Sequence, residues 1–140
     1  MKNCILFLLL FISFTTFAQK DTVYCTSGLK YVSLQAGVDT VKPKTGQEVK
    51  IRYVGKLLDG TVFDEVTGRA FFNFKIGDKD IIDGWHDGFK LMSKGEKGIF
   101  IIPPFLAYGT KGMKDPFEPG QYMIPPNSTL IFEVELISIK

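Results

Sequence analysis

The chain has 140 residues, 45% hydrophobic and 23% charged, with 17 basic against 15 acidic side chains and a formal net charge of +2. One domain is the natural reading at this length, and 14 Gly and 7 Pro are too few for a low-complexity chain. The near-neutral balance and the lack of a dense Lys/Arg run give no surface for tracking phosphates, so no nucleic-acid partner is expected.

Residues 1–18 carry Lys2, an unbroken apolar run from Ile5 to Ile12, and small residues ending at Ala18. That is the pattern of a secretory signal, shorter than the roughly 20 apolar residues of a comfortable membrane span. The protein is therefore expected to be exported, periplasmic or secreted. An uncleaved, membrane-associated anchor is the alternative. Cleavage after Ala18 leaves Cys25 as the single cysteine, unable to form an internal disulfide and read as a tolerated free thiol. One His, one remaining Cys and scattered carboxylates make no ligand cluster, so no metal is expected.

Residues 19–28 read as a polar arm, and the domain is expected over 29–140. "LKYVSL" (29–34) suggests an edge strand, and the Gly- and Pro-punctuated stretch 35–46 a loop. In "EVKIRYVGKLLDGTVFDEV", Val49, Ile51 and Tyr53 alternate with Lys50 and Arg52, the period of a half-buried strand. Asp59-Gly60 then marks a hairpin turn, because Gly tolerates the positive φ of tight hairpins. "AFFNFKIG" (70–77) alternates again, with Phe72, Phe74 and Ile76 on one side. "IIDGWHDGFKLM" (81–92) suggests a short helix capped by Asp83, with Trp85, Phe89 and Met92 on one face. "EKGIFII" (96–102) and "TLIFEVELISIK" (129–140) read as strands, and the Gly/Pro-rich stretch 107–127 is too long for a simple connector. This inventory predicts an α+β fold: a curved antiparallel sheet wrapped around one short helix. Lys50, Arg52, Lys75, Glu133 and Glu135 should face water on the other side.

No Gly-x-Ser-x-Gly, phosphate loop or His-Glu helix motif occurs. His86 has no orienting partner or nucleophile at a suggestive spacing and reads as solvent-facing. What stands out is 13 Phe, 5 Tyr and one Trp. Such rings ordinarily fill a core. Here Tyr53, Phe63, Phe74 and Phe132 have parities that let each face the helix, where Trp85 sits. Asp64 follows an inward Phe, and Tyr108 opens the long loop. Such a set can form an apolar bowl with few polar groups at its rim, the usual make-up of a small-ligand site.

"GQEVKIRYVGKLLDGTVFD", "IIDGW", "AYG" and "IPPNSTLIFEVELISI" resemble the FKBP-type peptidyl-prolyl cis-trans isomerases, in that family's order, from about Gly28 to Lys140. The resemblance implies an antiparallel sheet of five to six strands around a short helix. It also implies a pocket of Tyr53, Phe63, Asp64, Phe74, Ile81, Ile82, Trp85, Tyr108, Ile124 and Phe132. In it, Trp85 is the floor under the proline ring. The Ile82 N–H and the Tyr108 hydroxyl bind substrate carbonyls. Asp64, bonded to the Tyr53 hydroxyl, lies near the twisting amide, and Tyr53, Asp64, Tyr108 and Phe132 are the catalytic candidates. The implied activity is isomerisation of X–Pro bonds in exported, proline-containing polypeptide clients, by a monomer with no cofactor and with macrolides such as tacrolimus as further ligands. A non-catalytic peptide-binding chaperone module is the alternative. The chain departs from the family in the length of its 110–123 segment, which overhangs the site in the family. It departs again in "PPFLAYG", where Phe105-Leu106 replaces an acidic-aromatic pair.

Overall fold

Val49, Ile51 and Tyr53 are buried, while Lys50 and Arg52 between them are half-exposed. That alternation makes β3 (Glu48–Leu57) the axis of the computed structural model, which describes residues 22–140. The signal reading of 1–18 and the start of the 19–28 arm lie outside the described residues. No helix among the described residues is long and apolar enough to cross a membrane.

The strands are β1 (Thr22–Tyr24), β2 (Lys30–Gln35), β3, β4 (Val62–Val66), β5 (Phe72–Lys75), β6 (Lys97–Ile102), β7 (Met113–Lys114), β8 (Tyr122–Ile124) and β9 (Leu130–Ile139), with one helix, α1 (Asp83–Phe89). The main sheet runs β1-β2-β6-β9-β3-β4, and β5 also pairs with β3. Every pairing is antiparallel. This is the expected curved sheet around one short helix. Its strand number rises to seven because the arm contributes β1 and because β3 is flanked on one side by two short strands, β4 and β5.

Four local expectations change. β2 is not an edge: β1 covers it, with Val23 opposite Tyr31. Asp83 does not cap α1. Ile82 is the N-cap residue without a side-chain cap, and Asp83 is the first helical residue, where its charge meets the positive end of the helix. α1 ends at Phe89, so Met92 lies beyond it, yet fully buried. The long loop contains its own two-stranded hairpin, β7 with β8.

The two glycines in α1 are explained by β6. A Cβ on Gly84 would sit 2.5 Å from Ile102, and one on Gly88 would sit 2.6 Å from Phe100. Glycine gives up helix propensity of about 1 kcal/mol each. In return α1 lies almost on the sheet, and Phe89, Phe100, Ile102 and Met92 become fully buried. Burying such side chains stabilises by roughly 1.5–3 kcal/mol apiece, more than the propensity lost. Lys94-Gly95 then turns the chain into β6, with Gly95 at φ +82.

The candidate active site

Between α1 and the concave side of the sheet is a hollow of about 230 Å³, lined by Tyr53, Phe63, Asp64, Phe72, Asp80, Ile81, Ile82, Trp85, Tyr108 and Phe132. Trp85 is 6% exposed and stands at its base. Tyr53 and Phe132 meet the indole edge-on, with centroids at 4.8 and 5.2 Å. Phe72 approaches it likewise at 5.9 Å, and Phe63 stands against Phe132 at 5.5 Å, nearly perpendicular. Edge-to-face packing of this kind favours each ring by about 0.5–1.5 kcal/mol beyond its burial and fixes ring orientation. The indole Nε1 is buried with no hydrogen-bond partner among the described residues.

β3 places these rings. Tyr53 points inward by strand parity, and two residues on, Gly55 leaves a gap that side chains fill. A Cβ there would lie 2.7 Å from both Phe63 and Phe132. The hairpin between β3 and β4 turns at Asp59-Gly60 as expected, with Gly60 at φ +89 and the Leu57 N–H bonded to Thr61 C=O. It folds β4 back so that Gly55 faces Asp64 in register. The Tyr53 hydroxyl thus reaches Asp64 and donates to Oδ2 at 2.6 Å. Burial, then this bond and the carboxylate charge, pushes the Tyr53 phenol well above its ordinary value. Burial, with the charge of Asp64 second, raises Tyr108 as well. Both phenols are therefore un-ionised donors across the neutral range. At the start of α1, the Ile82 N–H has no intramolecular acceptor among the described residues, while its C=O accepts the Trp85 N–H at 3.1 Å.

Of the ten residues expected here, eight line the hollow: Tyr53, Phe63, Asp64, Ile81, Ile82, Trp85, Tyr108 and Phe132. Two do not. Phe74 is 5% exposed and packs behind Trp85, centroids 5.5 Å apart, and against Phe89. It supports the floor rather than forming it. Ile124, 1% exposed on β8, is committed to the core where Gly112 crosses close to its carbonyl. Two lining residues went unrecognised. Phe72 shares the parity of Phe74, so alternation placed it on the right face but not at the surface of the hollow. Asp80 carried no signal at all. His86 differs from expectation too: its ring is half-buried and bonds to the turn after β5.

A larger hollow, about 340 Å³, lies on the outer face of the sheet and involves Leu34, Arg52, Lys97, Glu133 and Glu135. It is crossed by the Arg52–Glu135 ion pair at 3.2 Å. The one aromatic residue along it, Tyr53, has its ring against Trp85 and its hydroxyl on Asp64, so the chemistry of an apolar ring-binding site belongs to the hollow over Trp85.

A profile of the family described as FKBP-type peptidyl-prolyl cis-trans isomerase matches residues 39–137. The chain is 40% identical over 114 residues to the peptidyl-prolyl cis-trans isomerase Fkbp12 of Drosophila melanogaster, covering 81% of this chain and 99% of that one. It is 46% identical over 97 residues to FK506-binding protein 4 of Mycosarcoma maydis, covering 69% of this chain and 24% of that protein, so it spans about a quarter of that longer relative. The crystal structure of a peptidyl-prolyl cis-trans isomerase from Pseudomonas syringae pv. tomato matches with a TM-score of 0.73 and 31% identity, over 88% of this chain and 84% of that one. The matched span includes every residue lining the hollow, and these relatives agree with one another. The chain therefore belongs to the family of FKBP-type peptidyl-prolyl cis-trans isomerases.

Proposed function

We propose that the hollow over Trp85 is where this isomerase turns X–Pro bonds, working as a monomer on exported polypeptides. The barrier to peptide rotation is about 18–20 kcal/mol because twisting destroys amide resonance. The two end states of an X–Pro bond differ by only about 0.5–1 kcal/mol, and uncatalysed exchange takes tens to hundreds of seconds. The task is therefore one of rate. No covalent bond is made or broken, so apolar shape and a few donors suffice.

The planar amide is the charge-separated form, with negative oxygen and positive nitrogen, and water stabilises it. Tyr53, Phe63, Phe72, Trp85 and Phe132 surround the hollow with rings. An imide moved among them loses that solvation, which favours the twisted state relative to the planar one. The proline ring rests on Trp85. The unclaimed Ile82 N–H and the Tyr108 hydroxyl hold flanking carbonyls, so contacts formed best in the twisted geometry lower the barrier. Asp64, fixed by Tyr53, faces the turning group. A thousandfold acceleration needs about 4 kcal/mol, within reach of a few such contacts.

The observation carrying this reading is the joint occurrence of an indole floor and a free backbone donor in one hollow of about 230 Å³. The apolar run Ile5–Ile12 supports export. The same hollow is the expected site for macrolides such as tacrolimus, and binding there should perturb the fluorescence of the single Trp. A protease-coupled proline-peptide assay tests the activity. Turnover above background is expected, and none from folded protein would refute it. The chaperone reading is favoured by Phe117, 90% exposed, and Phe105, 69% exposed, on the segments either side of Tyr108. If Asp64→Ala and Phe132→Ala abolish turnover but leave suppression of client aggregation intact, binding is separable from catalysis.

A further inference from the structure

His86, the single histidine, bridges two consecutive backbone groups of the turn that follows β5. The Gly77 N–H donates to Nδ1 at 3.1 Å, and Nε2 lies 2.9 Å from the Asp78 C=O. A donor faces one ring nitrogen and an acceptor faces the other, so the ring fits only as the neutral tautomer with its proton on Nε2. The same Asp78 carbonyl accepts the Ile81 N–H at 3.2 Å. Asp80, Ile81 and Ile82 line the hollow. Two hydrogen bonds thus connect the imidazole to the backbone of that wall.

The turn has few other restraints. Residues 77–80 are all exposed, and Gly77 takes φ +103. Asp78 is tied back to Lys75, its N–H to the Lys75 C=O at 3.0 Å and its Oδ2 to the Lys75 N–H at 3.1 Å. The N–H groups of Lys79 and Asp80 make no intramolecular bond among the described residues. Without the ring, the segment carrying Ile81 and Ile82 would be held mainly by its ends.

We propose that His86 is a positioning residue for the isomerisation: as the neutral Nε2–H tautomer it locks the Gly77–Asp78 turn and, through the Asp78 carbonyl, sets the Ile81–Ile82 backbone, so that protonating the ring loosens that wall. This rests on the reading of the hollow as the isomerase site. An imidazolium would aim an Nδ1–H at the Gly77 N–H, replacing a bond with two opposed donors. The charged groups on the elements meeting at the ring are Lys75 at the end of β5, Asp78, Lys79 and Asp80 on the turn, Asp83, Asp87 and Lys90 on and beside α1, and Lys44 on the segment bonded to the end of β5. Phe74 packs against the ring at 6.0 Å.

The test combines imidazole ¹⁵N NMR with proline-peptide kinetics on wild type, His86→Ala and His86→Gln, from neutral pH into acid. The spectrum should show the Nε2–H tautomer at neutral pH. His86→Ala should lower kcat/KM about two- to tenfold, the range of one or two neutral hydrogen bonds, mostly through KM. Wild type should lose activity towards acid by a similar factor. His86→Gln, whose carboxamide offers one acceptor and one donor, should recover neutral activity and lack the acid step. An Nδ1–H tautomer, wild-type kinetics in His86→Ala, or identical acid profiles for wild type and His86→Gln would overturn the proposal. Should His86→Ala not fold, the tautomer and His86→Gln decide. If wild type shows no turnover at any pH, the isomerase reading fails by itself. Amide exchange at Gly77 and Ile81 then decides the role of His86: faster exchange in acid than in His86→Gln supports it, and equal exchange overturns it.

Discussion

The Tyr53 hydroxyl and Asp64 Oδ2 lie 2.6 Å apart, a bond that joins β3, whose Tyr53 ring packs against the Trp85 floor, to β4 at the rim. Bonds to ionised acceptors contribute about 1.5–3 kcal/mol, but Asp64 is exposed, so the lower part of that range applies. Asp64→Ala should lower kcat/KM about tenfold, and Tyr53→Phe somewhat less, because the ring and its contact with Trp85 remain. The double variant should fall short of the product of the two losses, since both remove the same bond. Proline-peptide kinetics on the three variants checks this.

Two glycines separate stability from site geometry. A Cβ on Gly55 meets Phe63 and Phe132, whereas one on Gly88 meets Phe100 in the core. Overpacking costs about 1–3 kcal/mol in either place. Gly55→Ala should lose activity several-fold at temperatures where it is still folded. Gly88→Ala should lower Tm while its folded fraction turns over normally. Thermal unfolding followed by circular dichroism, paired with kinetics, distinguishes the two.

Alkaline pH should weaken the fold. Burial is the leading cause of the raised values of Tyr31, Tyr53 and Tyr108. A phenol whose folded value is raised holds its proton more tightly in the native state. Its contribution is complete below the unfolded value of about 10 and is lost as pH rises through the folded value. Tm should therefore be insensitive to these groups up to about pH 9 and fall above about pH 10. Tyr53→Phe should flatten part of that fall in a series of melts.

Asp64 and Asp80 both line the hollow, and no Lys or Arg is among its lining residues. Peptides with Lys or Arg beside the proline should be turned over faster than those with Glu. The preference should shrink with added salt, and Asp80→Asn should reduce it about twofold, the scale of an exposed ion pair. Equal rates for both peptides at low salt would contradict the assignment of Asp80 to the rim.

Much of this was legible in the sequence because the period of a strand is two. Val49, Ile51 and Tyr53 announce the inward face of β3, and Leu130, Phe132, Val134 and Leu136 that of β9, all of them buried. Parity gives a face but not a depth. That is why Phe74 was expected in the hollow and packs behind its floor, while Phe72, on the same face, lines it. Ile124, expected there through the family resemblance alone, is committed to the core. The two glycines of α1 look like helix weakeners in sequence and become contacts once Ile102 and Phe100 are opposite them. β1, β7 and β8 have two or three residues each, too short to show a period. The role of His86 was invisible because its partners are backbone atoms, which no side-chain motif records.

The most direct measurement is cis–trans exchange of an X–Pro peptide by NMR, with a small molar fraction of the protein and with tacrolimus added in steps. The account predicts exchange far faster than the uncatalysed tens to hundreds of seconds. It also predicts that the added rate vanishes in proportion to the Trp85 fluorescence change as tacrolimus fills the hollow. Folded protein that leaves the exchange at its uncatalysed rate, or catalysis that persists once the indole signal has saturated, would contradict it.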